Sequence, residues 1–251
     1  MEKIIVFKRK ICIFFYKVCL CVLFFICLMF LTGCNKNENE LETSKIVSEI
    51  DYLENTVYNI VEKFVEGEYE EDINVAENII EMKVIDYDKV KDDIKKLNKS
   101  LDVLTVDISK NYQNTNSITV LSKNINNLII NASENDIDVI LRDLNEVENS
   151  LILNLEKVSI NESKKKIKIL KSDILDVFIN SIIYEEKEIS KNKINDIISN
   201  FEESLNDKEF VNDNQYRINN VYVLLHEFKF AIDSENEDLI KIKYISLIEI
   251  L

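Results

Sequence analysis

Residues 87–108 read YDKVKDDIKKLNKSLDVLTVDI, and this stretch decides the fold class. Its apolar side chains return at alternating intervals of three and four residues, at Tyr87, Val90, Ile94, Leu97, Leu101, Leu104 and Ile108. An α-helix places residues three and four apart on one face, whereas a half-buried strand alternates every second residue. The stretch therefore predicts an amphipathic helix with one buried face.

The same spacing recurs along most of the chain. The helices that it predicts begin near residues 46, 87, 118, 137, 160, 194, 218 and 237. About seven to nine helices joined by short polar loops are typical of an all-α fold, an antiparallel helical bundle. The heptads of residues 87–108 would also suit a coiled coil, but the stripes are frequently broken, which favours a compact bundle.

Two similar tetrads lie between neighbouring stripes. Ser133–Asp136 reads SEND, and Ser234–Glu237 reads SENE. Each tetrad has a serine hydroxyl with an acidic residue three positions later, and the second, with Glu237, is a full capping box, in which the serine starts the helix that follows. Each tetrad therefore predicts a tight turn between two helices of a hairpin, with the serine as the N-cap of the second helix.

The composition excludes several fold classes. The chain has two Gly, no Pro and no Trp. Turns in β-rich folds rely on Gly and Pro, and loops that bind phosphate groups need glycines in close series. We therefore do not expect a Rossmann, P-loop or α/β-hydrolase fold, or a two-lobed α/β solute receptor.

The N-terminal segment differs from the rest of the chain. Residues 3–17 include five Lys and Arg, and an uninterrupted apolar run follows from Val18 to Leu31. A basic stretch, then an apolar stretch of this length, then small residues, is typical of a secretory signal peptide.

The tetrad Leu31-Thr32-Gly33-Cys34 after this run resembles the lipobox of bacterial lipoprotein precursors. The resemblance covers only the first 34 residues. It implies cleavage between Gly33 and Cys34, a diacylglyceryl group with palmitate-type acyl chains on the Cys34 thiol, and anchoring to the outer face of a bacterial cell membrane. The alternative is an uncleaved anchor helix over residues 11–32, which would leave the same part of the chain outside, because basic flanks stay cytoplasmic.

This interpretation divides the chain into segments. We expect a signal peptide at 1–33, a lipidated cysteine with a short tether at 34–41, and an all-helical domain at 42–251, which could form two sub-bundles at about 42–158 and 160–251.

The charge of the chain bears on its partners. The whole chain has 31 Lys and Arg and 46 Asp and Glu, of which residues 1–33 hold five and one, so that residues 34–251 carry a net charge of −19. Such a surface repels phosphate backbones, so no nucleic acid partner is expected. Basic proteins or cations are more plausible partners.

Residues that carry chemistry are few. The chain has one histidine, and its context HEFKF, residues 226–230, lacks the second histidine of a zinc-binding HEXXH motif. His226 is best explained as a histidine at the boundary of a helix face. We predict no catalytic residue and no cofactor.

Two charge clusters are weak candidates for binding. The carboxylates of Glu68, Glu70, Glu71 and Asp72 could bind a hard cation such as Ca²⁺, although their spacing matches no EF-hand loop and a solvated turn is the simpler explanation. The basic run Lys164–Lys168 could touch an anionic surface, but more simply balances neighbouring acids.

These observations favour a non-enzymatic, membrane-anchored lipoprotein whose helical domain binds a protein or another component of the cell envelope. The alternative is a lipoprotein that captures a small ligand or a divalent metal ion through its carboxylates.

Overall fold

The computed structural model describes residues 44–75, 80–111, 116–155, 158, 160–182 and 187–251. The predicted signal peptide, lipobox and tether, residues 1–41, lie outside the described residues.

The described chain is built almost entirely from helices. Helix α1 covers residues 44–66. A hairpin of two antiparallel strands follows, β1 (Glu70–Val75) and β2 (Ile80–Ile85). The remaining helices are α2 (Tyr87–Asn111), α3 (Asn116–Asn131), α4 (Ile137–Leu155), α5 (Glu162–Ile182), α6 (Lys187–Ser204), α7 (Lys208–Asn214), α8 (Ile218–Asp233) and α9 (Glu237–Ile250), with a short 3₁₀ turn (Ala132–Glu134) before α4. These nine helices confirm the predicted all-α bundle.

The predicted apolar stripes form the core. In α2, the residues Val90, Ile94, Leu97, Leu101 and Leu104 are all buried. Most stripe residues of the other long helices are buried as well, and the rest pack against this core. The compact unit that contains the core extends from Ile46 to Leu251. Burial of one apolar face of each helix supplies the main driving force for the fold.

Helix α1 ends just before Gly67. Gly67 has a φ of +75°, and the backbone N–H of Glu68 donates to the carbonyl of Lys63 at 2.9 Å. The N–H of Gly67 donates to the carbonyl of Phe64. This pair of hydrogen bonds is a Schellman motif, in which a residue with positive φ closes the helix.

The hairpin is the main departure from the predicted architecture. The acidic stretch after Gly67 was expected to be a solvated turn, but β1 begins at Glu70. The sequence does carry a signal of period two, since apolar residues alternate at Ile73 and Val75 and again in β2. The hairpin is short, and the helical stripes on either side of it dominate the pattern.

A polar cluster joins the base of the hairpin to the helices beside it. The hydroxyl of Tyr69 and the ammonium of Lys63 both donate to Oδ2 of Asp93 at 2.8 Å, and Lys96 contacts Oδ1. Burial alone would raise the pKa of Asp93, but these donors lower it to about 2.

The two SEN turns lie where they were predicted, but serine is not the cap. In the first turn, Ser133 Oγ donates back to the carbonyl of Ile130 at 2.6 Å. Oδ1 of Asp136 instead accepts from the N–H groups of Asp138 and Val139, at 3.0 and 3.3 Å. The prediction of a serine N-cap was therefore wrong.

The second turn repeats this arrangement. Ser234 Oγ donates to the carbonyl of Ala231, and the N–H of Leu239 donates to Oδ1 of Asn236. The physical reason is a left-handed residue between each serine and the cap, namely Asn135 with φ of 57° in the first turn and Glu235 with φ of 55° in the second. That residue closes the preceding helix, so the next helix can start only at the residue after it.

We expect Asp136→Ala to lower the free energy of unfolding by about 1 kcal/mol, because it removes the acceptor at the start of α4. Urea unfolding at neutral pH measures this change. Ser133→Ala is the matched control and should cost clearly less, since the backbone N–H groups of α4 keep their acceptor. An equal loss in both variants would contradict the capping role of Asp136.

Candidate functional site

Within the described part of the chain, a cluster of charged side chains lies where α1, α5, the end of α7 and the start of α8 meet. These elements surround a cavity of about 340 Å³. We call it the charged pocket and define it by the lining residues Asp51, Glu54, Lys164, Lys168, Lys171, Asp213 and Arg217.

A network of ion pairs forms one wall of the charged pocket. Lys168 contacts the carboxylate of Glu54, and its ammonium lies 2.8 Å from Oδ1 of Asp51. Lys164 donates to Oδ2 of Asp51 at 2.7 Å. Glu54 and Lys168 are only 3% and 7% exposed, so this pair lies in the interior rather than on the surface.

The network changes the titration of its members. Burial alone would lower the pKa of Lys168, but the carboxylates of Glu54 and Asp51 outweigh burial and raise it. Burial likewise favours neutral Asp51, yet Lys164 and Lys168 lower the pKa of this carboxyl. Each of these groups therefore stays charged because its partner is present.

Lys171 lies one helical turn from Lys168, but its surroundings differ. Its ammonium lies 5.5 Å from the centre of the Tyr58 ring, a cation–π arrangement. Within the described part of the chain, no carboxylate lies within ion-pair distance of this ammonium. Burial lowers the pKa of Lys171, and the more distant charge of Glu54 opposes this effect only in part.

Arg217 is held in place at the opposite wall. Its Nε and Nη2 donate to Oδ1 of Asn214, at 2.9 and 2.5 Å, and Nη1 donates to the carbonyl of Leu251 at 2.7 Å. Asn214 is itself fixed, because its Nδ2 donates to Oγ of Ser163 at 2.8 Å. A guanidinium has five N–H donors, so two of them are not used by these contacts.

A buried carboxyl lies beside the Tyr58 ring. Glu148 is fully buried, and the Tyr58 hydroxyl donates to its Oε1 at 3.2 Å. Among the described residues, its Oε2 and the hydroxyl of Tyr244 have no hydrogen-bond partner. Burial, with a further contribution from the charge of Glu54, raises the pKa of Glu148 to about 8. The carboxyl is therefore mostly neutral at pH 7.

A second, apolar depression lies on the surface between α8 and α9. It has a volume of about 550 Å³. We call it the α8–α9 groove, and its lining residues are Tyr222, Val223, His226, Glu227, Phe230, Leu239 and Lys243. Val223 and Phe230 are 53% and 65% exposed, so the groove brings exposed apolar side chains together in one patch.

The single histidine lies in this groove. The ring of His226 makes an edge contact with the ring of Tyr222, with centroids 4.6 Å apart. One rim of the groove is closed by an ion pair in which Lys243 donates to Oε2 of Glu227 at 2.6 Å.

The structure describes the side chains of only two of the four residues singled out as a possible cation site, so that site stays a prediction. Glu68 and Glu70 are exposed, and the side chains of Glu71 and Asp72, in β1, lie outside the described residues. Among the side chains that the structure does describe, no group of three His, Cys, Asp or Glu could hold a metal ion.

The basic run Lys164–Lys168 pairs with neighbouring acidic residues, as the simpler interpretation of the sequence predicts. Lys164 and Lys168 pair with Asp51 and Glu54, and Lys166 donates to Asp207 at 2.5 Å. The run therefore balances neighbouring acids, two of which lie on another helix.

Sequence reasoning missed most of the charged pocket. Glu54 and Glu148 each follow directly after a core residue, Leu53 and Val147, within an apolar stripe. A charged residue at such a position was the available signal, since charged side chains are rarely fully buried unless they are paired.

Comparisons with protein-family models, with curated proteins and with solved structures gave no match for this chain. None of the helices among the described residues combines the length and the apolar character needed to cross a bilayer.

Proposed function

We propose that this chain is a lipoprotein anchored through Cys34 to the outer face of a bacterial cell membrane, and that its helical bundle is a non-enzymatic module that binds a protein of the cell envelope. The anchor is supported by the lipobox-like tetrad Leu31–Cys34 and the signal-like segment before it. The binding role is supported chiefly by one observation, the exposed apolar lining of the α8–α9 groove.

The groove has the chemistry of a protein-binding surface. Val223 and Phe230 are two turns apart on α8 and leave more than half of their side-chain surface in water. Tyr222 and His226 extend this apolar strip along the same helix. Exposed aromatic residues gathered in a concave patch commonly anchor a partner, because covering them removes apolar surface from water.

The charge of the chain favours a basic partner. The whole chain has a net charge of −15, and the domain without its signal peptide is more acidic still. At the groove itself, Glu227 and Lys243 neutralise one another. Long-range attraction would therefore bring a basic protein to the bundle, and the apolar strip would provide the contact.

The tether would keep this surface near the membrane. Residues 34–41 span at most about 28 Å when fully extended, so a partner would be bound close to the bilayer. The lipid anchor then forms part of the function, because it raises the local concentration of the bundle beside other envelope proteins.

We expect a photo-crosslinking amino acid at Phe230, introduced in intact cells, to capture a discrete protein. The matched control places the same probe at Ile130 on α3, which is 62% exposed and apolar but outside the groove. The captured band should disappear in a Cys34→Ala background, which lacks the thiol for lipid attachment.

Two outcomes would contradict the proposal. Capture of the same set of proteins from both probe positions would indicate non-specific contact. Absence of any discrete product from Phe230, with normal expression of the protein, would show that the groove has no protein partner under these conditions.

A further inference from the structure

Among the described residues that line the charged pocket, one cation, Lys171, makes no ion pair and no hydrogen bond. Lys164 and Lys168 are paired with Asp51 and Glu54, and Arg217 is held by Asn214 and Leu251. Lys171 contacts the face of the Tyr58 ring, and the charges of Glu54 and Glu148 act on its ammonium only from a greater distance. A half-buried ammonium without a counter-ion is costly, so this position favours an incoming negative charge.

We propose that the charged pocket binds a small molecule carrying a single carboxylate, with the carboxylate against the ammonium of Lys171 and the unused N–H donors of Arg217. This site is separate from the α8–α9 groove, so the proposal goes beyond protein binding and does not depend on it.

The size of the cavity fits this class of ligand. Its volume of about 340 Å³ lies at the lower end of the range for small-molecule sites, about 300–1,000 Å³. It has room for a molecule of the size of an amino acid or a small hydroxy acid. The lining is mixed, with Ile167 as an apolar contact among the charged groups.

The walls of the pocket are already in place for binding. Asn214 and Ser163 fix the guanidinium of Arg217 by the hydrogen bonds described above. The Tyr58 ring supports the Lys171 ammonium, and the Tyr58 hydroxyl is itself bound to Glu148. A site with restrained side chains loses less conformational entropy when a ligand arrives.

The neighbouring carboxyls restrict the charge of the ligand to one unit. Glu148 acts on Lys171 from a distance, and burial, which raises the pKa of Glu148, favours its neutral form and so weakens this interaction. Asp213 is an exposed carboxylate on the lining of the same cavity. A second negative charge on the ligand would be repelled by Asp213, which disfavours phosphate and dicarboxylates.

Thermal melting and calorimetric titration of the purified domain test this proposal. The probes are lactate, glycine and acetate as monocarboxylates, and succinate and inorganic phosphate as dianions, all at matched ionic strength. We expect a saturable rise in Tm with at least one monocarboxylate. We expect Lys171→Met to weaken that binding at least about tenfold, since a charged hydrogen bond is lost.

Two further variants make the result decisive. Lys165→Met removes a charge from the same helix outside the pocket and should bind like the unaltered protein. Lys171→Arg keeps the charge and should retain most of the affinity. Lys171→Met should melt at or above the unaltered protein without ligand, because it removes an uncompensated cation, so its loss of binding would not reflect unfolding.

The proposal is overturned if no monocarboxylate gives a saturable rise in Tm, or if Lys171→Met binds as tightly as the unaltered protein. Tighter binding of phosphate or succinate than of every monocarboxylate would overturn the assignment of a single charge. None of these results bears on capture of a protein at the α8–α9 groove, so the two proposals fail separately.

Discussion

Lys168→Met should lower the free energy of unfolding by about 3–5 kcal/mol, because it leaves the buried carboxylate of Glu54 without its counter-ion. Glu54 is only 3% exposed, and the other strong neighbour of Lys168, Asp51, would keep Lys164 as its single partner. Urea unfolding of the purified domain at pH 7, followed by circular dichroism, measures this loss.

Two comparisons test whether this loss comes from the buried ion pair or would follow from any lysine substitution in α5. Lys166→Met breaks the pair with Asp207, in which both side chains are more than one third exposed, and should cost no more than about 1 kcal/mol. The double variant Lys168→Met with Glu54→Gln removes both charges and should recover more than half of the loss. Equal costs for Lys166→Met and Lys168→Met would show that burial does not distinguish the two pairs.

Glu148→Gln should raise the stability of the domain at neutral and mildly alkaline pH. In the unfolded chain this carboxyl has an ordinary pKa of 4.5, whereas in the folded protein burial raises the pKa to about 8. The unfolded state therefore loses its proton first, and the native protein loses stability as pH rises from about 4.5 to about 8. Below pH 4.5 both states are protonated and the penalty vanishes.

The expected gain is about 4 kcal/mol near pH 8 and close to zero near pH 4.5, because glutamine cannot ionise yet can still accept from the Tyr58 hydroxyl. Urea unfolding at intervals of half a pH unit measures the difference. Glu146→Gln, on the exposed side of the same helix, is the control and should show no comparable trend. A Glu148→Gln variant less stable at every pH would mean that the native carboxylate is ionised and held by a cation.

The two predictions concern one continuous polar region. The ion pair of Glu54 and Lys168 faces the charged pocket, and Glu148 lies beside it, joined to the pocket through Tyr58. Cooperation between these groups can be measured directly, because the double variant Lys168→Met with Glu148→Gln should show non-additive stability if Glu54 interacts with both.

The fold class follows from the sequence because helical periodicity is a local property. Residues three and four apart share a face of a helix whatever the rest of the chain does, so the stripe from Val90 to Leu104 predicts α2 without knowledge of its neighbours. Gly67 ends α1 for a similarly local reason, since a positive φ is needed at that position. The lipobox-like tetrad ending at Cys34 is also local, and the lipid anchor that it implies stays a prediction.

Other local features were not predicted correctly. The β1–β2 hairpin is too short for its alternation to stand out beside helical stripes, and α7 has only seven residues. Each SEN turn offers several polar side chains as the cap, and the left-handed residue within the turn decides in favour of Asp136 and Asn236. Such a backbone conformation cannot be read from a sequence in which Asn, Asp, Glu and Ser are all abundant.

The tertiary structure alone decided where the charges meet. Glu54 and Lys168 are 114 residues apart, and Tyr58 and Glu148 are 90 residues apart, so no local pattern connects them. A carboxylate within an apolar stripe can become a paired anion, like Glu54, or favour its neutral form, like Glu148. The outcome depends on whether a packed helix brings a lysine into contact with it. By itself, the sequence determined which faces of the helices are buried, because that depends on neighbours along the chain. The packing of distant helices determined the charged pocket, because electrostatic pairing depends on neighbours in space.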